Sequence, residues 1–306
     1  MNESKNALII GNGFDLDLGL STRFSDFAKS KFWPEDNGSQ LSAFLAKKLD
    51  INEWFDLEHS LYDYICGPEA SWRKHETIDK DLEYFKLLQS NLMQFIGDQE
   101  KENLDANSTA AKLIKVVSEN GLFDYIYTLN YTDLNRIAER LGGYKLKQSF
   151  HLHGSVKDKN AIIGIGNYRI RADYTNWRKV RNEYYRSNNI FGDLDIAKEI
   201  VFFGVSFGSI DSSYFEPFFS KISRPAEEPI KDKDRKVITI FTLDEKGRTF
   251  ILDCIEQMKV NLNYLFNQTD FEIIRTGEKK DSVKIEKCLT RIRNGKPFLP
   301  FPKAMI

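Results

Sequence analysis

Cysteine is scarce. Cys66, Cys254 and Cys288 are spread along 306 residues and form no CxxC pair. That argues against a structural zinc site or a disulfide framework and fits a reducing compartment. No stretch approaches the roughly eighteen uninterrupted apolar residues of a membrane span, and the apolar run in MNESKNALII is too short for a signal peptide. An excess of one charge is missing too: 44 lysines and arginines face 45 aspartates and glutamates. Proteins that work by neutralising phosphates carry a basic surplus, so nucleic acid is not the expected partner and only a local patch would serve it. A soluble, cytoplasmic chain with no membrane contact is expected.

What is present reads as a folded protein. Hydrophobic residues make up 41% and aromatics 13%, enough for one large domain or two modest ones with a sizeable core. Residues 7–10 (ALII) form a continuous apolar run that ends at glycine, the mark of a strand buried on both faces. From about 21 to 120 the texture is helical. Residues 52–66 place Trp54, Leu57, Leu61 and Ile65 at helical spacing, and 78–96 do the same with Leu82, Phe85, Leu88, Leu92 and Phe95. Such stripes are read as core packing. Further strands are expected at 123–129, 149–153, 200–205, 237–243 and 271–275, with helices between several of them, including 250–260. Strands alternating with helices predict an α/β fold, doubly wound around a mostly parallel sheet. We expect a single domain over 1–306, with a large helical insertion at about 25–120 after the first strand. The polar stretch 223–235 is a loop.

The stretch ALIIGNGFDLDLGL poses the functional question. A strand followed by Gly-x-Gly lets the backbone pass close to a pyrophosphate, but residue 16 is leucine and the dinucleotide fingerprint is broken. Taken alone, Gly11 and Gly13 equally fit a structural turn. Other strand ends add weight, because ligands of doubly wound sheets collect there. They carry Asn130-Tyr131-Thr132-Asp133, Gly204-Val205-Ser206 and His151-Leu152-His153-Gly154, which holds two of only four histidines. If the strand runs through, His151 and His153 share one face. No further His or Cys cluster supports a metal, so none is assigned. The plain alternatives are a satisfied half-buried histidine, turn asparagines at 12 and 130, and Asp211 as a helix N-cap. Glu58 could reach the site, though a solvated or capping glutamate is the ordinary reading. Tyr131 could stack on a ring or simply pack.

The ordered set GNGFDLDLGLSTRFSDF, WFDLEHSL, TLNYTDLNR, HLHGS and FFGVSFGSIDSSYF resembles the bacterial abortive-infection proteins of the AbiH family over about residues 6–216. That resemblance implies defence against bacteriophage. These motifs are in turn similar, more distantly, to the sirtuin-like NAD-binding fold. Gly11, Gly13, Gly19 and Leu20 fall at the spacing of GAGxS followed by GIPDFR. Thr128 and Asn130 match TQNxD, His153-Gly154 matches the catalytic histidine and its glycine, and Gly204 and Ser206 match a later Gly-x-Ser.

There are departures. Asp15 stands at the serine, Thr132 at the aspartate with Asp133 one place later, and Ser21-Thr22-Arg23-Phe24 replaces PDFR. The four zinc cysteines are absent, which argues against protein deacylation.

The resemblance implies NAD, a small-molecule nucleotide, as substrate or ligand. His153 and Asn130 would be the catalytic residues, a base and an amide that orients ribose and water. Gly11, Asn12, Gly13, Phe14 and Asp15 would bind the nucleotide at the bend, the first four through backbone amides around the pyrophosphate. Gly204, Ser206, Phe207 and Asp211 would bind it beyond the later strand. The expected activity is an NAD glycohydrolase, a hydrolase acting on an N-glycosyl bond. The alternative is an inactive sensor or interaction module that binds NAD or an ADP-ribose derivative. A nuclease would need a metal-binding carboxylate cluster that is not seen. NADP stays open, with Arg23 or Arg169 able to meet its extra phosphate. A free-running NAD hydrolase poisons its own cell, so control by a homo-oligomer, an inhibitory loop or a phage-derived trigger is expected. Residues 25–120 or 279–293 are the places for it.

Overall fold

The computed structural model describes residues 5–51, 56–67, 75–166, 170–183, 185, 189–208, 211–225, 231 and 235–294. Trp54 and Arg169 lie outside them. The first strand, β1 (Lys5–Ile10), is followed by α1 (Asn12–Asp17), α2 (Phe24–Ala28), α3 (Gln40–Ile51), α4 (Leu57–Cys66), α5 (His75–Gln99) and α6 (Thr109–Asn120). Then come β2 (Tyr125–Thr128), α7 (Leu134–Gly142) and β3 (Ser149–His151), and, after two short 3-10 turns, α8 (Ile190–Ile196) and β4 (Ala197–Phe203). The chain continues with α9 (Ser212–Ile222), β5 (Lys236–Thr242), α10 (Glu245–Gln257), α11 (Leu262–Gln268), β6 (Thr269–Arg275) and α12 (Ser282–Asn294).

All six strands are parallel, in the order β3-β2-β1-β4-β5-β6. This is the doubly wound arrangement, with the reversal of winding between β1 and β4. The apolar run of β1 follows from its central place. Ala7 and Ile9 enter one core with Tyr127, Phe202 and Ile240, beneath α8 to α11. Leu8 and Ile10 enter the other with Ile126, Phe203, Phe241 and Ile274, beneath α1, α6, α7 and α12. Period-two alternation sends successive residues to opposite faces, and both faces are covered. Among the described residues no helix is long and apolar enough to cross a membrane.

The helical insertion has its own core. Leu61, Ile65, Phe85, Leu88, Leu92 and Phe95 pack there against Tyr174 and Trp177 from the segment after β3. One carboxylate ties it together. Asp81 is fully buried and accepts from the Leu41 amide at 2.9 Å and from the hydroxyls of Tyr64 at 2.5 Å and Tyr174 at 3.0 Å. The insertion is thereby pinned to residues 172–181, which matter below.

Register places Ile10, Thr128, His151 and Phe203 at one level across four strands. The loops that follow leave from the same edge. At the winding reversal the turns after β1 and β4 interlock. Gly11 N donates to Phe203 O at 2.9 Å and Gly13 N to Gly204 O at 3.0 Å. A Cβ on Gly13 would stand 2.6 Å from Gly204 Cα, and Gly204 itself adopts φ +66°. Only glycine fits so close an approach. Gly13→Ala is therefore expected to destabilise the fold by about 1–3 kcal/mol, the usual range for forced overpacking. Urea unfolding would measure it, and a neutral result would mean that the two turns part easily.

Candidate functional site

The ends of β1, β2, β3 and β4 converge on the reversal point. Asn130, just beyond β2, is 6% exposed, and its Nδ2 donates to Gly11 O at 3.1 Å, tying it to the glycine bend. Its Oδ1 is buried and has no hydrogen-bond donor. An orphaned buried acceptor is unusual. His151, at the end of β3, sets Nδ1 against Asn130 O at 3.2 Å.

Beneath Asn130 lies a buried carboxylate. Asp15 is 1% exposed, and Thr132 Oγ1 stands 3.2 and 3.0 Å from its two oxygens. Burial pushes its pKa up to about 7, against the pull of bonds from Thr132, Asn130 and Thr22, with Glu100 adding repulsion. Glu100 is held in turn by the Asp133 amide at 2.6 Å and by Arg136 at 3.2 Å.

The second group surrounds His153, which is 4% exposed. Lys179 Nζ lies 3.2 Å from His153 Nε2 and Asp211 Oδ1 lies 3.3 Å from the same nitrogen. Lys179 also meets Glu58 Oε2 at 2.8 Å and Asp211 Oδ1 at 3.7 Å. The other oxygen of Glu58 accepts the Gly164 amide at 3.2 Å. Asp211 makes ion contacts here rather than hydrogen bonds. Burial alone would raise the Asp211 carboxyl, but Lys179 and His153 hold it down at about 2. Burial raises Glu58 despite Lys179. It would lower Lys179, but Glu58 and Asp211 outweigh it and keep the ammonium protonated. The rings of Tyr131 and Tyr214 flank the imidazole at 6.4 and 5.9 Å.

Several placements differ from expectation. The third strand stops at His151, and Gly154 turns the chain at φ +72° with Asn160 filling the space a Cβ would need. His151 and His153 are therefore not strand neighbours on one face, and they meet different partners. Asp211 holds the N-cap position of α9 but makes no capping bond. Its carboxylate is drawn to Lys179 and His153 instead.

Phe14 and Phe207 are core residues: Phe14 packs edge-on to Phe203, and Phe207 sits among Phe202, Phe215 and Phe219 at φ +58°. Of the amides expected around a pyrophosphate, those of Gly11, Gly13 and Phe14 already donate within the protein. Asn12 and Ser206 are exposed. Asn12 Oδ1 accepts from Thr22 at 2.6 Å. Tyr131 donates to Ile162 O at 3.3 Å. Arg23 is exposed at the start of α2.

Glu58 is neither solvated nor a cap. Its signal was a carboxylate between Trp54 and Leu61 on an apolar stripe. Lys179 was missed, since NWRKVR reads as a solvated basic run.

A family model described as Bacteriophage abortive infection AbiH matches residues 7–229. A comparison with curated proteins finds no match. Among solved structures, a Sir2 homolog–NAD complex aligns over 96% of this chain and 91% of its own, at 14% identity and a TM-score of 0.39. A structure described as the structural basis of sirtuin substrate affinity aligns over 97% and 96%, at 13% identity and a TM-score of 0.35.

The buried ion group makes its own prediction. Lys179→Met leaves the buried Glu58 carboxylate without its cation and should cost about 3–5 kcal/mol. Lys179→Met combined with Glu58→Leu should cost clearly less than the two single losses added together. Urea unfolding of the four proteins gives the coupling, and strict additivity would show that the pair does not interact.

Proposed function

Because the chain belongs to the bacteriophage abortive infection family AbiH, we propose that it is a defence protein whose site hydrolyses NAD at the nicotinamide–ribose bond. The observation that carries this reading is the placement of His153. The imidazole stands buried at a strand end, with Nε2 between the Lys179 ammonium and the Asp211 carboxylate, on the same sheet edge as Asn130 and its orphaned acceptor.

The chemistry asks for few parts. The bond between the ribose C1′ and the ring nitrogen breaks, its electron pair leaves with nicotinamide, and the cationic ring departs neutral. The transition state has oxocarbenium character, so negative protein groups favour it and a positioned water completes it. Water forms the new C1′–O bond and loses a proton, giving ADP-ribose. His153 takes that proton, from water or through a ribose hydroxyl. Lys179 Nζ stands 3.2 Å from Nε2 and turns to Glu58 and Asp211 when the ring takes a proton there. Asp211, ionised beside the same nitrogen, then stabilises the imidazolium. Glu58 holds Lys179 in place through the ion pair from α4. Asn130 accepts a ribose hydroxyl or orients the water with Oδ1. Since three bend amides are already engaged, the exposed side chains of Asn12 and Ser206 would meet the pyrophosphate.

Removing a general base lowers turnover by about 10²–10⁴. His153→Ala should therefore lose nicotinamide release from NAD by that margin while the protein stays folded. Equal turnover in the variant would take His153 out of the mechanism. Tight binding of NAD with no nicotinamide released, even with phage components added, would favour the sensor.

A further inference from the structure

Asn130 is bonded at one end only. Its Nδ2 donates to the Gly11 carbonyl at 3.1 Å, and its side chain lies against the Asp15 carboxyl and pulls its pKa down. Both partners are acceptors, so the NH2 end of the amide must face them. Oδ1 is consequently turned the other way, buried and without a donor. The Gly11 carbonyl takes one N–H of the planar amide, and the Asp15 carboxyl is a second acceptor beside it.

We propose that Asp15 is a positioning residue of this site, anchored by Thr132, that turns the Asn130 amide so that Oδ1 is offered to a hydroxyl donor of the ligand. That the donor is a ribose hydroxyl rests on the NAD reading above; the turning of the amide does not. The anchor is a single hydroxyl shared between both carboxylate oxygens, at 3.2 and 3.0 Å. The groups that face Asp15 come from several elements: Thr22 after α1, Asn130 and Thr132 after β2, and Glu100 after α5. Glu100 is the charged one, and its own oxygens are taken by Arg136 and the Asp133 amide.

The pair is pH-sensitive. Burial places the Asp15 carboxyl at about 7 in the folded protein, against an ordinary value of 3.8. The folded state therefore holds a proton that the unfolded chain has released, and stability falls as pH rises between those values and levels off above them. Protonated, Asp15 can donate as well as accept, so below about pH 7 its hold on the Asn130 NH2 weakens and the Gly11 carbonyl is left to fix the amide.

Two experiments on the full chain test this. In the first, asparagine side-chain amides are labelled and the Asn130 signal is identified by its loss in Asn130→Ala. It should shift with a midpoint close to pH 7 in wild type and stop shifting in Asp15→Asn, whose unfolding temperature should also fall less steeply between pH 4 and 7 than that of wild type. An Asn130 signal that titrates unchanged in Asp15→Asn overturns the proposal. In the second, Asp15→Ser should lower nicotinamide release at least tenfold, and adding Thr132→Asp should restore most of it, because the hydrogen bond re-forms with its two groups on opposite sides. A double variant no better than the single one also counts against it. If wild type releases no nicotinamide, the hydrolase reading fails by itself, and the amide titration still decides the role of Asp15.

Discussion

Where the turns after β1 and β4 cross, the backbones of Gly13 and Gly204 touch, leaving no room for a side chain on either. The rest of the site is built outward from this contact. It fixes the direction in which Gly11 presents its carbonyl, and that carbonyl holds Asn130. It starts α1 at Asn12 and so brings Asp15, one helical turn from Gly11, against Thr132. It also engages the amides of Gly11 and Gly13. The double-glycine bend is therefore a joint between two strand ends first. Any pyrophosphate would meet side chains at its rim rather than a ring of free amides.

Onto this joint the helical insertion delivers charge. Glu58 comes from α4 and Lys179 from a 3-10 turn, each nearly buried and 2.8 Å apart. Such a pair contributes little net stability, because desolvation offsets most of the attraction. What it does is local. It holds an ammonium against His153 Nε2 and leaves Asp211 ionised on the other side of the same nitrogen. The insertion is itself locked to the Lys179 segment through Asp81 and Tyr174. A shift of α4 against the sheet would thus be felt at the imidazole, since Glu58 and Lys179 would move with it.

β1, β2 and β4 could be read in the sequence because they are short apolar runs closely followed by glycine or asparagine, the pattern of a parallel sheet covered on both faces. Gly11, Gly13, Asn130, His153 and Gly204 stood out for the same reason, as chemistry-bearing residues at strand ends. Lys179 had no such signal. Periodicity reports which side chains face a core, whereas a buried cation depends on partners 121 and 32 residues away, Glu58 and Asp211. Glu58 was half visible as a carboxylate on an apolar helix face, with nothing in the local sequence to say what neutralises it. The stop of β3 at His151 was hidden likewise, since it depends on Gly154 folding back on Asn160.

Asp15 and Thr132 stand 117 residues apart in the chain and are the two ends of one hydrogen bond. A carboxyl raised to about 7 by burial destabilises the folded state at neutral pH, and asparagine would keep the bond to Thr132 without that penalty. A fold that needed only packing at this position would be better served by the amide. Packing alone therefore does not account for a carboxyl buried beneath Asn130.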